Sequence, residues 1–468
     1  MRLLAVLTLC LPLFASAADK PNFVLVMADD QGWGDVGFRN PDLKTPVMDE
    51  LAKSSLHFTR FYAAAPVCSP TRGSVLTGRH PNRFGCFSWG HTLRPQEITV
   101  AEALKTAGYT AGHFGKWHVG PVRADSNANP GASGFDEWFS SPNFYDNHPL
   151  MSHRGNVIET HGESSLATAD LAIDWMKQVA DGDKPFLAVV WFGSPHGPHQ
   201  ALKPYADMYA DLPKNKKNFY GEVTAMDEAI GRLRSSLREL DIADNTVFWY
   251  TSDNGALPVG STGGLSGRKG RLEEGGIRVP AMIEWPARIK QPRETSRSCS
   301  TVDIYPTLLE IAGVTMPNQP VLDGESLRPI IDGIDKPRLK PMGFWVHPTR
   351  GIRTPSREFL ARQLKEQQGE LPVEKSADTG IIREQYPESD FPGDAAWLSG
   401  KFKLHRKVNK KGKVGYTLFD LSEDAKEQHD VADANPETFR RLQNELAVWQ
   451  LSVTRSLNGQ DYRAKQTK

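Results

Sequence analysis

Apolar residues in this chain come in short runs, and each run ends in a polar cluster. Phe23-Val24-Leu25-Val26-Met27 leads into Asp29-Asp30, Phe186 to Trp191 into Ser194-Pro195-His196, and Thr246 to Tyr250 into Ser252-Asp253-Asn254. A shorter run, Tyr109 to Phe114, leads into Lys116-Trp117-His118. Runs without polar alternation predict strands covered on both faces, as in a parallel sheet. Helical segments lie between them. Thr99-Val100-Ala101-Glu102 is a capping-box pattern with Gly108 as a stop, and Val223, Met226, Ile230, Leu233 and Leu237 share one helical face. Strands alternating with helices predict an α/β fold whose ligands gather outside the carboxyl ends of the strands. The polar clusters fall at those ends.

After about residue 335 the pattern changes. Residues 350–395, rich in charge, Pro and Gly, read as a long loop excursion. Trp397 to Arg406 and Gly415 to Leu421 read as short antiparallel strands joined by a Lys/Gly turn, and Pro436 to Leu451 as a closing helix. The chain thus divides into a main part, residues 19–335, and a smaller C-terminal α+β subdomain, residues 336–468. At the other end, Arg2, an apolar run from Leu3 to Phe14 and Ala15-Ser16-Ala17 make the pattern of a cleaved export signal over residues 1–18. That run is short for a bilayer span. It predicts a periplasmic or secreted protein without membrane insertion.

Charge and cysteine content narrow the partners. Acidic and basic residues balance at 56 each, which gives no global attraction to nucleic acid or an anionic membrane. Cys10 leaves with the signal, so Cys68, Cys86 and Cys299 remain, an odd number for an oxidising compartment. A chemical use of Cys68 resolves the oddness. Whether Cys86 and Cys299 pair is left open by the sequence.

Candidate chemistry sits in five places. Cys68-Ser69-Pro70-Thr71-Arg72-Gly73 has a proline suited to a first helical turn, which puts Cys68 at a positive helix end. Asp29-Asp30 and Asp253-Asn254 offer hard oxygen ligands from two strand ends, a set that suits calcium or magnesium. A turn or helix cap is the structural alternative for each pair. Lys116 and His118 follow a strand, as do His196 and His199, and Lys269 lies in a glycine-rich loop that continues to Pro280. A second polar group (His80, Arg83, His91 and Arg94, with Asn143, Tyr145, His148 and His347 elsewhere) combines loop packing with candidates for the pocket wall.

The cysteine run resembles the C-x-P-x-R-G signature of the formylglycine-dependent sulfatases. Gly115-Lys116-Trp117-His118-Val119-Gly120 resembles the family's G-K-W-H-x-G block, and Lys269 to Pro280 its K-G-x-x-x-E-G-G-x-R-x-P block, in the family's order. The resemblance is close over about residues 20–290 and looser beyond. It implies an alkaline-phosphatase-like sandwich with a large, mostly parallel central sheet flanked by helices and a short C-terminal antiparallel sheet. It also implies that a formylglycine-generating enzyme oxidises Cys68 to an aldehyde, which hydrates to a diol. One diol oxygen attacks sulfur, and the other helps expel sulfate. By the same resemblance Asp29, Asp30, Asp253, Asn254 and the modified Cys68 bind one calcium ion. Lys116 and Lys269 hold sulfate, Arg72 steadies the diol, His118 contacts it, and His196 binds sulfate and protonates the departing alcohol. Glu274 and Arg278 would fasten the Lys269 loop. The substrate implied is a sulfate ester, with extracellular glycans favoured by export. Two rivals are a phosphoester or phosphonate monoester hydrolase of the same superfamily and a non-catalytic sulfoglycan-binding protein.

Overall fold

Residues 20–465 are described in a computed structural model, and the predicted export signal with Cys10 lies outside them. The first apolar run forms β1 (Asn22–Ala28), and its side chains feed two cores. Phe23, Leu25 and Met27 enter one; Val24, Val26 and Ala28 enter the other. Successive side chains of a strand point to opposite faces, so a strand apolar at every position needs cover on both. Then come β2 (Leu56–Tyr62), β3 (Thr110–Lys116), β4 (Glu137–Ser141), β5 (Leu150–His153), β6 (Asn156–Glu159) and β7 (Phe186–Trp191). After them lie β8 (Thr246–Ser252), β9 (Arg278–Glu284), β10 (Arg293–Thr295) and β11 (Cys299–Ser300).

Among the described residues these eleven strands form one sheet, ordered β10-β2-β9-β8-β1-β7-β3-β4-β5-β6, with β11 beside β2. The centre, β8-β1-β7-β3-β4, is parallel throughout. Helices Ser164–Ala180 and Lys214–Glu239 cover one face, and Val100–Lys105 and Ile304–Ala312 the other. The capping box expected at Thr99 and Glu102 is present, with both hydrogen bonds made. Strands β4 to β6 were not legible in the apolar pattern, because their burial is partial and uneven. No helix of the described residues is long and apolar enough to cross a membrane.

A second sheet follows, wholly antiparallel: β12 (Met342–Val346), β13 (Asp394–Ser399), β14 (Phe402–Val408) and β15 (Val414–Asp420). Helix Pro436–Leu457 packs on one face through Leu442, Leu446, Trp449 and Val453. The other face meets Tyr62, Leu272 and Ile277 of the main body. Three expectations change here. Residues 350–395 are not all loop, since Ser356–Gln367 is a helix. Only Leu360 and Leu364 of that helix reach the main core, too few to mark a helical period. Trp397 to Arg406 is two strands rather than one, because the chain reverses at Gly400, whose φ of 61° suits a tight turn. The closing helix runs on to Leu457.

The second sheet braces the loop that carries Lys269. Lys403 Nζ, fully buried on β14, lies 2.9 Å from both Glu274 Oε1 and Glu427 Oε1. Glu427 also accepts from His405 at 2.7 Å and from the Glu274 backbone N–H at 2.6 Å. Removing one member of a buried ion network leaves its partners charged and unpaired. Lys403→Ala is therefore expected to destabilise the fold by about 3–5 kcal/mol, read by denaturant unfolding.

Candidate active site

The carboxyl ends of β1, β3, β7 and β8 converge on one point. Register pairs Ala28 with Ser252, so the residues that follow, Asp29 and Asp253, emerge side by side. Asp30 bends away at φ 68°, a left-handed conformation that its short polar side chain tolerates. Its backbone N–H donates to Asp253 Oδ1 at 3.0 Å, and Asn254 Nδ2 donates to Asp30 Oδ1 at 2.8 Å. All four side chains are fully buried.

Three cations face these carboxylates. Lys116 Nζ lies 2.6 Å from Asp29 Oδ2, Lys269 Nζ 2.5 Å from Asp30 Oδ1, and Arg72 Nη2 2.7 Å from Asp253 Oδ2. Arg72 also donates to the Lys116 carbonyl at 3.0 Å, which ties the cysteine helix to the end of β3. Gly115 makes that strand end fit: a Cβ there would lie 2.0 Å from the Trp191 carbonyl of β7. Gly276 serves the Lys269 loop in the same way, with the Arg271 carbonyl 2.1 Å from where a Cβ would stand.

Cys68 begins helix Cys68–Thr77, buried among these groups. Its Sγ groups with carboxylate oxygens of Asp29 and Asp253 on one side, and with Asp30 and His196 on the other, each set lying within 4.8 Å. Burial pushes its thiol pKa up to about 11, although Lys116 and Lys269 pull the other way. Cys86 and Cys299 are likewise buried and free, so no disulfide joins any of the three among the described residues.

His196 and His118 complete the pocket. His196 Nδ1 donates to the Gly197 carbonyl at 2.6 Å, which turns Nε2 toward Asp30 Oδ2 at 3.5 Å. Phe144 stacks on its ring at 4.0 Å. Burial lowers the His196 pKa to about 4, leaving a neutral imidazole beside the lysines. His118 is held at φ 55°, and both of its buried ring nitrogens lack a protein partner. A non-glycine residue held there stores backbone strain of the kind concentrated at functional sites. A cavity of about 390 Å³ opens at His118 between Gly90, Arg123, Ile352 and Gln363.

The donor set fits a hard divalent cation. Asp29 Oδ1, Asp30 Oδ2 and Asn254 Oδ1 are buried oxygens without a hydrogen-bond partner among the described residues, an expensive state unless something else satisfies them. Burial also raises the Asp29 pKa to about 8, and Asp253 and Asp30 add to the rise against Lys116 and Arg72. Three buried carboxylates and the three cations that face them cancel here. A divalent ion would leave the pocket with an excess of positive charge, the condition for holding an anionic ester.

Every residue the sequence put forward for the centre lies in it: Asp29, Asp30, Cys68, Arg72, Lys116, His118, His196, Lys269, Asp253 and Asn254. The outlying candidates do other work. His199 is held by Glu222 at 3.0 Å, and Arg83 by Asp323 at 2.7 Å. His80 receives the Asn82 backbone N–H, Arg94 donates to the Leu457 carbonyl, and His91 pairs with the Arg350 carbonyl. Tyr145 bonds Thr168, and His347 stacks on Phe87. Asn143 bonds Thr354, a wall of the His118 cavity, while His148 lines a separate cavity of about 500 Å³. Phe144 and Trp191, whose ring lies 5.2 Å from the Arg72 guanidinium, were missed. Neither stands in a motif, and their only signal was proximity to one.

Residues 21–314 match the family model described as Sulfatase. The N-acetylgalactosamine-6-sulfatase of Canis lupus familiaris is 35% identical over 360 residues, covering 68% of this chain and 67% of that protein. An ulvan-active sulfatase of Formosa agariphila is 32% identical over 339 residues, covering 68% of this chain and 66% of that protein. Among solved structures, Ps i-CgsB in complex with k-i-k-neocarrahexaose superposes with a TM-score of 0.78 at 25% identity, over 96% of this chain and 98% of that one. The phosphonate monoester hydrolase of Agrobacterium radiobacter shares the fold, with a TM-score of 0.62 at 21% identity over 94% of this chain and 96% of that one. The chain belongs to the sulfatase family and is a sulfuric ester hydrolase.

Proposed function

We propose that this enzyme removes sulfate from extracellular glycans, with a nucleophile made from Cys68 and a calcium ion held by Asp29, Asp30, Asp253 and Asn254. The observation that carries this reading is the convergence of three unsatisfied buried oxygens, Cys68 and two lysines on one pocket. Relatives named for N-acetylgalactosamine-6-sulfate and ulvan, and a neighbour in complex with k-i-k-neocarrahexaose, support a glycan substrate. The export signal read over residues 1–18, and a division at about residue 335 into catalytic and C-terminal parts, belong to the same reading. A formylglycine-generating enzyme would supply the maturation.

Formylglycine at position 68 would supply a hydrated aldehyde oxygen as nucleophile, and the cation would supply Lewis-acid charge for it and for the sulfuryl oxygens. The remaining work falls to the chain. Lys116 and Lys269 hold sulfuryl oxygens, and the carboxylates behind them keep the two ammonium groups in place. Burial works against the charge on Lys269, but Asp30 and its neighbours outweigh it and hold its pKa above the ordinary lysine range, so it acts by charge rather than as a base. Arg72 orients Asp253, which stands beside Cys68 to accept a proton. His118 keeps two ring nitrogens free of hydrogen bonds among the described residues, and Phe144 fixes the ring of His196. An anionic ester beside His196 favours its protonated form, which then gives its proton to the departing alcohol oxygen.

That last role has a graded signature. His196→Gln is expected to lower kcat by about 10²–10⁴-fold on a sulfated sugar, whose alkoxide needs a proton. The loss should be much smaller on 4-nitrophenyl sulfate, whose phenolate leaves unaided. Equal losses on both would remove His196 from the acid role. The reading as a whole is tested by comparing sulfate esters with matched phosphate and phosphonate esters. Sulfate release should exceed phosphate release in kcat/KM by about 10³-fold or more, since Lys116, Lys269 and one cation suit a singly charged ester better than a doubly charged one. Faster phosphate release would favour the phosphoesterase rival.

A further inference from the structure

A third cavity, about 380 Å³ in volume, lies where β2 and the segment after β10 meet the C-terminal sheet at Met342 and Ser399. Five cations line it: Arg60, Arg297, Lys336, Arg338 and Lys340. Asp335 is the one carboxylate on its wall. The counterions of the arginines stand behind the wall rather than on it. Arg338 donates to Asp303 at 2.6 and 2.9 Å, and Arg297 to Glu325. Asp303 is fully buried and also accepts the Ser300 and Glu325 backbone N–H groups, while Glu325 accepts those of Leu339 and Lys340. The two guanidinium side chains are only 8% and 7% exposed, so their positions are set before any ligand arrives.

Two donors in this cluster are unspent. Arg60 Nη2 and Arg297 Nε are buried and have no hydrogen-bond partner among the described residues. Burial depresses the charge on Arg60, but Tyr62, Glu274 and Asp420 outweigh it. Those two carboxylates are themselves matched by Lys403 and Lys401. Counting Asp335, Asp303 and Glu325 against the five cations leaves an excess of two positive charges. Ser296, Ser298 and Ser399 add hydroxyl donors to the wall. Rigid guanidinium side chains with hydroxyls around a half-open cavity suit a tetrahedral oxyanion.

We infer that this cavity is a second sulfate-binding site, separate from the catalytic pocket, which takes either a sulfate group carried by a polymeric glycan or the free sulfate ion. A site of this kind would hold a polyanionic chain while another of its esters is cut, or sense the released product. It does not depend on the catalytic reading, because binding can be measured in a chain without the Cys68 thiol. The test uses the full chain with Cys68→Ala, titrated calorimetrically with sulfated dextran and, separately, with inorganic sulfate. Lys336→Glu, on an exposed side chain without an ion-pair partner among the described residues, is expected to keep the fold intact; Arg60→Gln removes the unpaired donor. If the ligand is a polymer-borne sulfate, each variant weakens sulfated dextran by about tenfold. If it is the free ion, dextran affinity holds and the stoichiometry of bound inorganic sulfate falls by one. In Cys68-intact protein, kcat and KM for 4-nitrophenyl sulfate stay unchanged in both cases. Unaltered binding of both probes in both variants overturns the site.

Discussion

Cys68→Ala should lower sulfate release by at least about 10⁴-fold while leaving the fold in place. The size of the loss follows from what remains. Lys116, Lys269 and Arg72, with the cation the carboxylates would hold, would still bind and polarise a sulfate ester, so the variant keeps affinity. What it loses is the one group at the centre of the pocket able to make a bond to sulfur. Asp29, Asp30, Asp253 and His196 all lie around the Cys68 Sγ, and none has its place. Removal of one buried sulfur from a helix start leaves a small cavity, costing about 1–2 kcal/mol. Melting temperature and kcat therefore separate in this variant, and a loss of both together would point to a structural cysteine instead.

Removing the cation should have the second largest effect. Chelation is expected to lower kcat by about 10³-fold, with full recovery on adding calcium, since Lewis-acid stabilisation of this kind contributes several kcal/mol. The same treatment should lower the melting temperature, because an ion bound to the native state stabilises it by mass action, by about 4 kcal/mol at a thousand times its Kd. The physical reason is the set of unsatisfied oxygens on Asp29, Asp30 and Asn254. Asp253→Asn should reproduce both effects and blunt the response to calcium. An enzyme indifferent to chelation in both stability and rate would show that the three lysine and arginine contacts alone satisfy the cluster.

The centre was legible because its residues follow apolar runs that can only be central strands. Asp29, Lys116, His196 and Asp253 each stand two to five positions past such a run, so a parallel sheet brings them together. Lys269 was legible only through its resemblance to a family block. Its position depends on Glu274 meeting Lys403 across 129 positions of sequence, and no local pattern reports that contact. Phe144 belongs with it: its stacking on His196 joins two loops that periodicity does not describe. The helix Ser356–Gln367 escaped for a different reason. It lies on the surface and borrows its stability from Leu360, so its sequence reads as charged loop. The walls of the cavity at His118 come partly from this helix, which is why the sequence names the chemistry more sharply than the sugar.

One measurement bears on the central claim most directly: sulfate release from a panel of sulfated sugars and polysaccharides by protein co-expressed with a formylglycine-generating enzyme. Cys68→Ala runs alongside, and peptide mass at position 68 reports conversion. The account predicts release that scales with the converted fraction and vanishes in Cys68→Ala. No release from any sulfate ester by fully converted protein, or undiminished release from Cys68→Ala, would contradict it.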